Sequence, residues 1–336
     1  MRRGSIVRLV LIGAIMAGIA VAIALLFRWL PHPASREAGR IDFVFWFVTG
    51  ICIAIFTLVS SVVVYSVVKF RRRPDDDSDG PPIHGHTGLE IVWTVVPFVL
   101  VTAISIVSAV VLAKNGDAGS NPLRVNVTAQ QFAWTFSYPH SQNLTSAVLR
   151  LPLGRKVKLV LQSKDVIHSF WVPEFGQKQD AVPGITTTLV ITPDRLGTFP
   201  VICTELCGLG HALMRSEAIV MPTGKFDAWL AGQQRALNGP PGQAGKTVFA
   251  SNGCGACHTY APAGSTAKIG PDLDKLPAYA QQAGKPLQDF VRESIVNPNA
   301  YIQPGFPKNV MPGNFGQLPK DQLDALVTFL TQQGSK

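Results

Sequence analysis

The chain has 336 residues, of which 47% are hydrophobic and only 15% charged, and it carries a formal net charge of +9 at pH 7. That is too long for one small domain and too apolar for an ordinary soluble one, so membrane segments are expected. The excess of Lys and Arg forms no stripe of the kind that reads nucleic acid, which excludes that class of partner.

Three apolar runs occupy the first third: Ile6 to Leu30, Phe43 to Phe70 and Ile91 to Ala113. Each is near or above the ~20 residues that cross a bilayer. No such run recurs after Ala113. Arg2 and Arg3 precede the first run, and Lys69, Arg71, Arg72 and Arg73 follow the second. Basic flanks mark the cytoplasmic side, so the third helix exits outwards and everything beyond about Lys114 lies outside the cytoplasm of a multi-pass membrane protein. A basic n-region before the first run also fits a cleaved signal peptide. The run is longer than a usual h-region and no clean A-x-A site follows, so a retained helix is expected.

The segment RRRPDDDSDGPPIHGHTG joins the second and third runs, and its charges, Pro and Gly predict a loop. His84 and His86 form an H-x-H pair there, but without a third ligand they are read as solvated. Glu90 opens the third helix, where the macrodipole favours an acid and its carboxylate can snorkel into water. Cys52, alone in the second run, is read as membrane packing.

From Leu123 to Met221 the pattern changes to short strands, LRVNVTA, FAWTFSY, KVKLVLQS, TTTLVITP and SEAIVMP, separated by turns rich in Gly and Pro. An all-β sandwich that resembles the cupredoxins is expected over about 115–236, after a helical region over 1–114. Phe132, Trp134, Phe136 and Tyr138 alternate along one strand and share a face.

Within this region the string CTELCGLGHALM places Cys203, Glu205, Cys207, His211 and Met214 inside twelve residues. Thiolates, an imidazole and a thioether together suit copper better than a hard cation. One stretch supplies only one histidine, and the best second is His168 in DVIHSFW, which a strand at a distance can supply. Two thiolates bridging two ions, one histidine on each, with Met214 and a carbonyl near Glu205 in the weak positions, describe a binuclear copper site. The alternatives are a structural zinc site or a Cys203–Cys207 disulfide, though zinc has little use for Met214 and a disulfide does not account for the histidines.

LNGPPGQAG, from Leu237 to Gly245, has the composition of a linker, placed at 237–242 with a further domain over 243–336. That domain contains Cys254-Gly255-Ala256-Cys257-His258. The two thiols of C-x-x-C-H suit thioether bonds to haem and His258 suits an axial iron position; a thioredoxin-like C-x-x-C is the competitor, disfavoured by the histidine and by the extracytoplasmic side. Every other methionine precedes this motif, so Met311 is the candidate sixth ligand, and a thioether there would raise the potential. Leu323, Leu326, Val327 and Leu330 make one apolar helix face near the end of the chain.

DVIHSFWVPEF followed by CTELCGLGHALM closely resembles the binuclear CuA segment of subunit II of the haem-copper cytochrome c oxidases. The resemblance implies His168, Cys203, the carbonyl of Glu205, Cys207, His211 and Met214 as ligands, with the Glu205 side chain in a magnesium contact towards subunit I. Gly245 to Gln333 resembles a class I cytochrome c, all α-helical. Gly270-Pro271-Asp272-Leu273 matches the turn whose Pro271 carbonyl would orient His258, and MPGNF matches the distal loop. LEIVWT, with Glu90, resembles the family position at the mouth of a proton path into subunit I. The aromatic strand overlaps the family's electron-entry patch: Trp134 matches its second tryptophan, but Phe132 stands where the first is usual, which argues against docking of external cytochrome c there. A tethered haem domain, present at high effective concentration, needs less of such a surface.

The implied function is electron transfer from haem c through CuA to haem in subunit I, where oxygen is reduced to water with proton translocation. The implied partners are subunits I and III, membrane lipid, and an external donor, either a cytochrome c or the quinol–cytochrome c reductase complex. The rivals are an electron-entry subunit of a nitric oxide reductase and a membrane-anchored copper-delivery protein.

Overall fold

A computed structural model describes residues 3–71, 82, 84–141 and 144–332. Arg2, Arg72, Arg73 and Gln333, which entered the sequence argument, lie outside these residues. The contacts divide the chain into two compact units, one of residues 1–32 and 38–116, the other of residues 33–37 and 117–336.

The first unit is helical: α1 (Arg3–Leu26), α2 (Arg36–Lys69) and α3 (Thr87–Gly116). All three are long and apolar enough to cross a membrane. Their bounds differ from the apolar runs for a simple reason, since hydropathy marks the part of a helix that tolerates lipid and not the helix itself. α1 stops four residues short of Leu30, because Pro31 and Pro33 disfavour helix before them. α2 starts seven residues before Phe43, its polar first turns carrying Glu37 where the dipole favours it. Arg40 Nη1 donates to Asn115 Oδ1 at 2.7 Å, tying the start of α2 to the end of α3.

In the second unit, β1 (Leu123–Gln130), β2 (Ala133–Tyr138), β3 (Leu144–Ser146), β4 (Leu149–Pro152), β5 (Val157–Ser163), β6 (His168–Trp171), β7 (Lys178–Ala181), β8 (Thr187–Ile191), β9 (Gly197–Cys203) and β10 (Arg215–Met221) build two five-stranded sheets. Their orders are β3-β2-β1-β5-β8 and β4-β10-β9-β6-β7. Alternate residues of β1, Leu123, Val125, Val127 and Ala129, turn inwards and meet Phe170, Val201 and Ala218 of the facing sheet in one core. The five strand-like runs are β1, β2, β5, β8 and β10, the strand expected to supply His168 is β6, and four more join them. Residues 33–37 are sewn to this sandwich: Glu37 accepts from Thr192 N at 2.6 Å and from Thr192 Oγ1 at 3.1 Å.

α4 (Thr223–Leu237) follows β10. Phe226 is buried in the sandwich core with Trp229 and Leu230 packed beside it, whereas Leu237 packs on a second, helical core. The second core gathers α5 (Pro241–Ser251), α6 (Leu276–Gln282), α7 (Leu287–Val296) and α8 (Lys320–Thr331). The run 237–245, expected to be linker, is therefore helical from Pro241 on. Proline at a first helical position loses no hydrogen bond and starts a helix, so composition alone misreads it. Leu323, Leu326, Val327 and Leu330 of α8 are buried, as their spacing predicts. α5 and α8 cross so closely that a Cβ on Gly245 would lie 2.1 Å from the Ala325 carbonyl oxygen.

Candidate metal centre and haem pocket

β9 ends on Cys203 and β10 begins just after Met214, so the string of candidate ligands is a loop pinned at both ends by strand pairing, Ile202 opposite Arg215. β6 lies on the other side of β9 with Phe170 opposite Cys203, which brings its first residue, His168, to the same end of the sheet. His168 and Met214 are fully buried, Cys203 and Cys207 nearly so, and His211 is half-buried.

Cys203 Sγ lies 3.9 Å from Cys207 Sγ, 3.8 Å from His168 Nδ1 and 3.3 Å from the Glu205 carbonyl oxygen. Cys207 Sγ lies 3.5 Å from His211 Nδ1 and 3.8 Å from the Met214 sulfur. His168 and the two cysteines can present ligand atoms within 4.8 Å of one another. The histidines sit on different sulfurs, and the two cysteines are free thiols. All six sequence-predicted positions thus meet at one place, with the Glu205 carboxylate exposed beside them.

Asp165 was not anticipated. Its Oδ1 lies 2.8 Å from His168 Nε2 and accepts from Val166 N at 2.7 Å, while Oδ2 accepts from Gln131 N at 2.6 Å. A carboxylate on the far nitrogen of a ligating histidine fixes its tautomer and aims the near nitrogen at the metal. Burial works to lower the His168 imidazole, but its bonds to Cys203 and Asp165 outweigh that and raise it above the ordinary value. Gln131 also donates from Nε2 to the Cys207 carbonyl at 2.5 Å, and the Phe132 ring lies on the ligand loop where a Cβ on Gly210 would approach it to 2.5 Å. The sequence signal for this contact was the glycine pair, Gly208 and Gly210, between Cys207 and His211.

The electrostatics test the fit of a cation. Burial pushes the Cys203 thiol up, yet bonds with His168 and with the backbone at Glu205 and Ser169 bring it below the usual thiol range. Cys207 goes the other way, raised by burial and by the charge of Cys203. Two thiolates this close inside protein need positive charge between them, which a soft metal supplies, so the donor set fits copper.

Trp134 is buried, edge-on to His168 with ring centroids 6.2 Å apart and to Phe170 at 5.5 Å. Its indole Nε1 has no hydrogen-bond partner among the described residues. Glu90 is exposed at the start of α3 and accepts from His86 N at 3.3 Å, while His86 Nδ1 accepts from Leu89 N at 3.1 Å. The two side chains together cap the helix.

In the helical part, His258 Nδ1 donates to the Pro271 carbonyl at 2.8 Å, which leaves Nε2 free for an iron. Gly270 admits this turn, since a Cβ there would meet the imidazole at 2.5 Å. Burial lowers the His258 imidazole, keeping it neutral as a ligand must be, and pushes the Cys254 thiol up to about 12. Met311 packs, partly buried, against the same core as Cys254. Two thiols, a neutral oriented histidine and a thioether on one apolar core fit a covalently held haem.

The family description "Cytochrome C oxidase subunit II, periplasmic domain" matches residues 145–221, the transmembrane domain of the same family matches residues 20–111, and "Cytochrome c" matches residues 242–334. Cytochrome c oxidase subunit 2 of Synechocystis sp. is 34% identical over 275 residues, covering 68% of this chain and 82% of that protein. The chain belongs to the cytochrome c oxidase subunit II family. The subunit 2 of Alkalihalophilus pseudofirmus is 30% identical over 306 residues, 85% of this chain and 86% of the relative. A crystal structure of the periplasmic domain of subunit II from Bradyrhizobium japonicum covers 35% of this chain and 98% of its own, at 24% identity and a TM-score of 0.34, too loose a likeness to bear on the site. As a subunit II with an added cytochrome c domain, the chain has domains that imply copper and haem c, and its membrane helices accompany a domain of the family's periplasmic type.

Proposed function

We propose that this subunit II passes electrons from its own haem c through a binuclear CuA centre to haem in subunit I of a bacterial terminal oxidase, where oxygen is reduced to water and protons are translocated. The observation that carries the reading is the distribution of donors: His168 stands by Cys203 and His211 by Cys207, with Met214 behind Cys207, so that each of two copper ions could take its own histidine. When bound, the copper and the haem supply outer-sphere electron transfer, and nothing else is asked of them. The protein holds the donors rigidly: Asp165 fixes His168, Gln131 fixes the loop at Cys207, and the Pro271 carbonyl fixes His258. Little then rearranges when the oxidation state changes.

In this reading His168, Cys203, the Glu205 carbonyl, Cys207, His211 and Met214 hold copper, while Cys254, Cys257, His258 and Met311 hold haem. The Glu205 carboxylate contacts magnesium at subunit I, Glu90 gathers protons at the cytoplasmic face, and Trp134 lies on the electron path. The chain divides into a membrane region to 114, a copper domain over 115–236 and a cytochrome domain over 243–336, both of the latter outside the cytoplasm. Subunits I and III, lipid, and a cytochrome c or quinol–cytochrome c reductase donor complete the assembly.

The test is purification of the protein with its native partners, followed by oxygen and nitric oxide reduction measured side by side with an artificial donor. Rapid cyanide-sensitive oxygen uptake supports the oxidase. Nitric oxide reduction without it moves the chain to a reductase, and neither activity points to copper delivery. Electron paramagnetic resonance showing only mononuclear copper would refute the binuclear site.

A further inference from the structure

The haem-bearing half is not held by α4 alone. Gly253, the residue before Cys254, lies against the sandwich so closely that a Cβ on it would sit 3.1 Å from the Ala147 Cβ, and α5 packs on β3 beside this point. The Ala147 carbonyl in turn accepts a hydrogen bond from Ser216 Oγ at 2.5 Å. Ser216 is the second residue of β10, two beyond Met214, whose sulfur lies 3.8 Å from Cys207 Sγ. A continuous series of contacts therefore leads from a haem-attaching cysteine to a metal ligand, with one through-space step, at Gly253 and Ala147.

A second contact joins the halves, Lys164 Nζ to Gln317 Oε1 at 3.4 Å, next to Asp165 and hence His168. It is the weaker junction. It joins the tips of two long side chains across a long hydrogen bond, and Gln317 stands six residues from Met311. The contact at Ala147 is backbone and methyl, one residue from Cys254.

Resting on the electron-transfer function proposed above, we infer that Ala147 and Ser216 are the positioning residues that couple the two centres: the electron crosses from Gly253 to Ala147 and reaches Met214 through the Ser216 hydrogen bond and β10. One electron leaves the haem iron, which is oxidised, and enters the copper site, which is reduced; no atom or proton is transferred.

The experiment uses the assembled oxidase, with a soluble photosensitiser injecting one electron into haem c and the haem and copper absorbances followed in time. Ser216→Ala should slow the haem-to-copper phase several-fold, Ser216→Thr should restore it by keeping the hydroxyl, and Lys164→Ala should leave it unchanged. The potentials of both centres and the copper resonance spectrum should match the unsubstituted enzyme, so that the slowing reports coupling and not a disturbed Met214. An unchanged rate in Ser216→Ala, or slowing in Lys164→Ala instead, overturns the route. Failure of the unsubstituted copper site to be reduced from the haem at all would refute the functional reading, and the route with it.

Discussion

Gly245 and Gly232 make a paired experiment in which the same substitution takes opposite signs. Both are helical. A Cβ on Gly232, in α4, meets nothing within 4 Å. Alanine there should stabilise by about 0.5–1 kcal/mol, through reduced backbone entropy in the unfolded chain and better helix propensity. A Cβ on Gly245, in α5, would lie 2.1 Å from the Ala325 carbonyl oxygen, 2.5 Å from Phe329 Cβ and 2.8 Å from the Ala325 carbonyl carbon. Two of these are backbone atoms of α8, so no rotamer change relieves the overlap and the helices must separate. Their separation loosens Phe249 from Phe329, whose rings now stand 5.9 Å apart. Overpacking of this kind costs up to about 3 kcal/mol. Helix propensity offsets about 1 kcal/mol of it, for a net loss of about 2 kcal/mol. Guanidinium unfolding of the detergent-solubilised full chain, followed by haem absorbance for Gly245→Ala and by sandwich fluorescence for Gly232→Ala, reads both. A Gly245→Ala protein as stable as its parent would show that the helices do not cross at backbone contact.

Asp165→Asn removes the carboxylate that orients His168, and copper affinity should fall about 10–100-fold, measured by competition with a chelator of known affinity. Tyr138→Phe strips a buried hydroxyl that donates to the Arg150 carbonyl at 2.9 Å and accepts from Arg150 N at 2.7 Å. Each backbone group left unsatisfied costs about 1–3 kcal/mol, so thermal unfolding of the sandwich should drop by several degrees; an unchanged midpoint would contradict the burial. Tyr260, buried and donating to the Phe329 carbonyl at 2.8 Å, is raised to about 12, mainly by burial. Its folded value exceeds the unfolded one, so its stabilisation is complete below about pH 10 and is lost as pH rises towards 12. A Tyr260→Phe protein should lack that part of the alkaline stability loss, and identical pH profiles would refute the assignment.

The candidate site was legible where ligands are close in sequence or chemically unusual. Cys203 to Met214 span one loop, and C-x-x-C-H is contiguous, so spacing alone exposes them. Asp165 was not legible, because an aspartate three residues before a histidine is commonplace until folding turns its carboxylate onto Nε2. β9 was missed for a local reason: GTFPVIC contains Pro200, which normally excludes a central strand. The neighbouring β6 meets β9 only at Ile202 and Cys203, so the missing N–H of Pro200 faces no ladder on that side. β3, β4 and β7 were missed because three or four residues each give too little alternation to read. In α4 the spacing of Phe226, Trp229, Leu230 and Leu237 is present in the sequence, but the proline-rich end of the segment has the composition of a linker.

α4 has a consequence for how this chain can change length. A flexible tether accepts an added residue at almost no cost, since its ends explore many distances anyway. A helix with Phe226 embedded in one core and Leu237 in another does not. Each residue inserted between them turns everything downstream by about 100° and advances it by about 1.5 Å. One extra residue would swing Gly253 away from Ala147, two would carry it further, and only an insertion near a whole number of turns, such as seven, would return it to the same side. The segment behaves as a threaded shaft whose length is set in discrete steps, so grafting this cytochrome onto another copper domain would succeed or fail by helical phase.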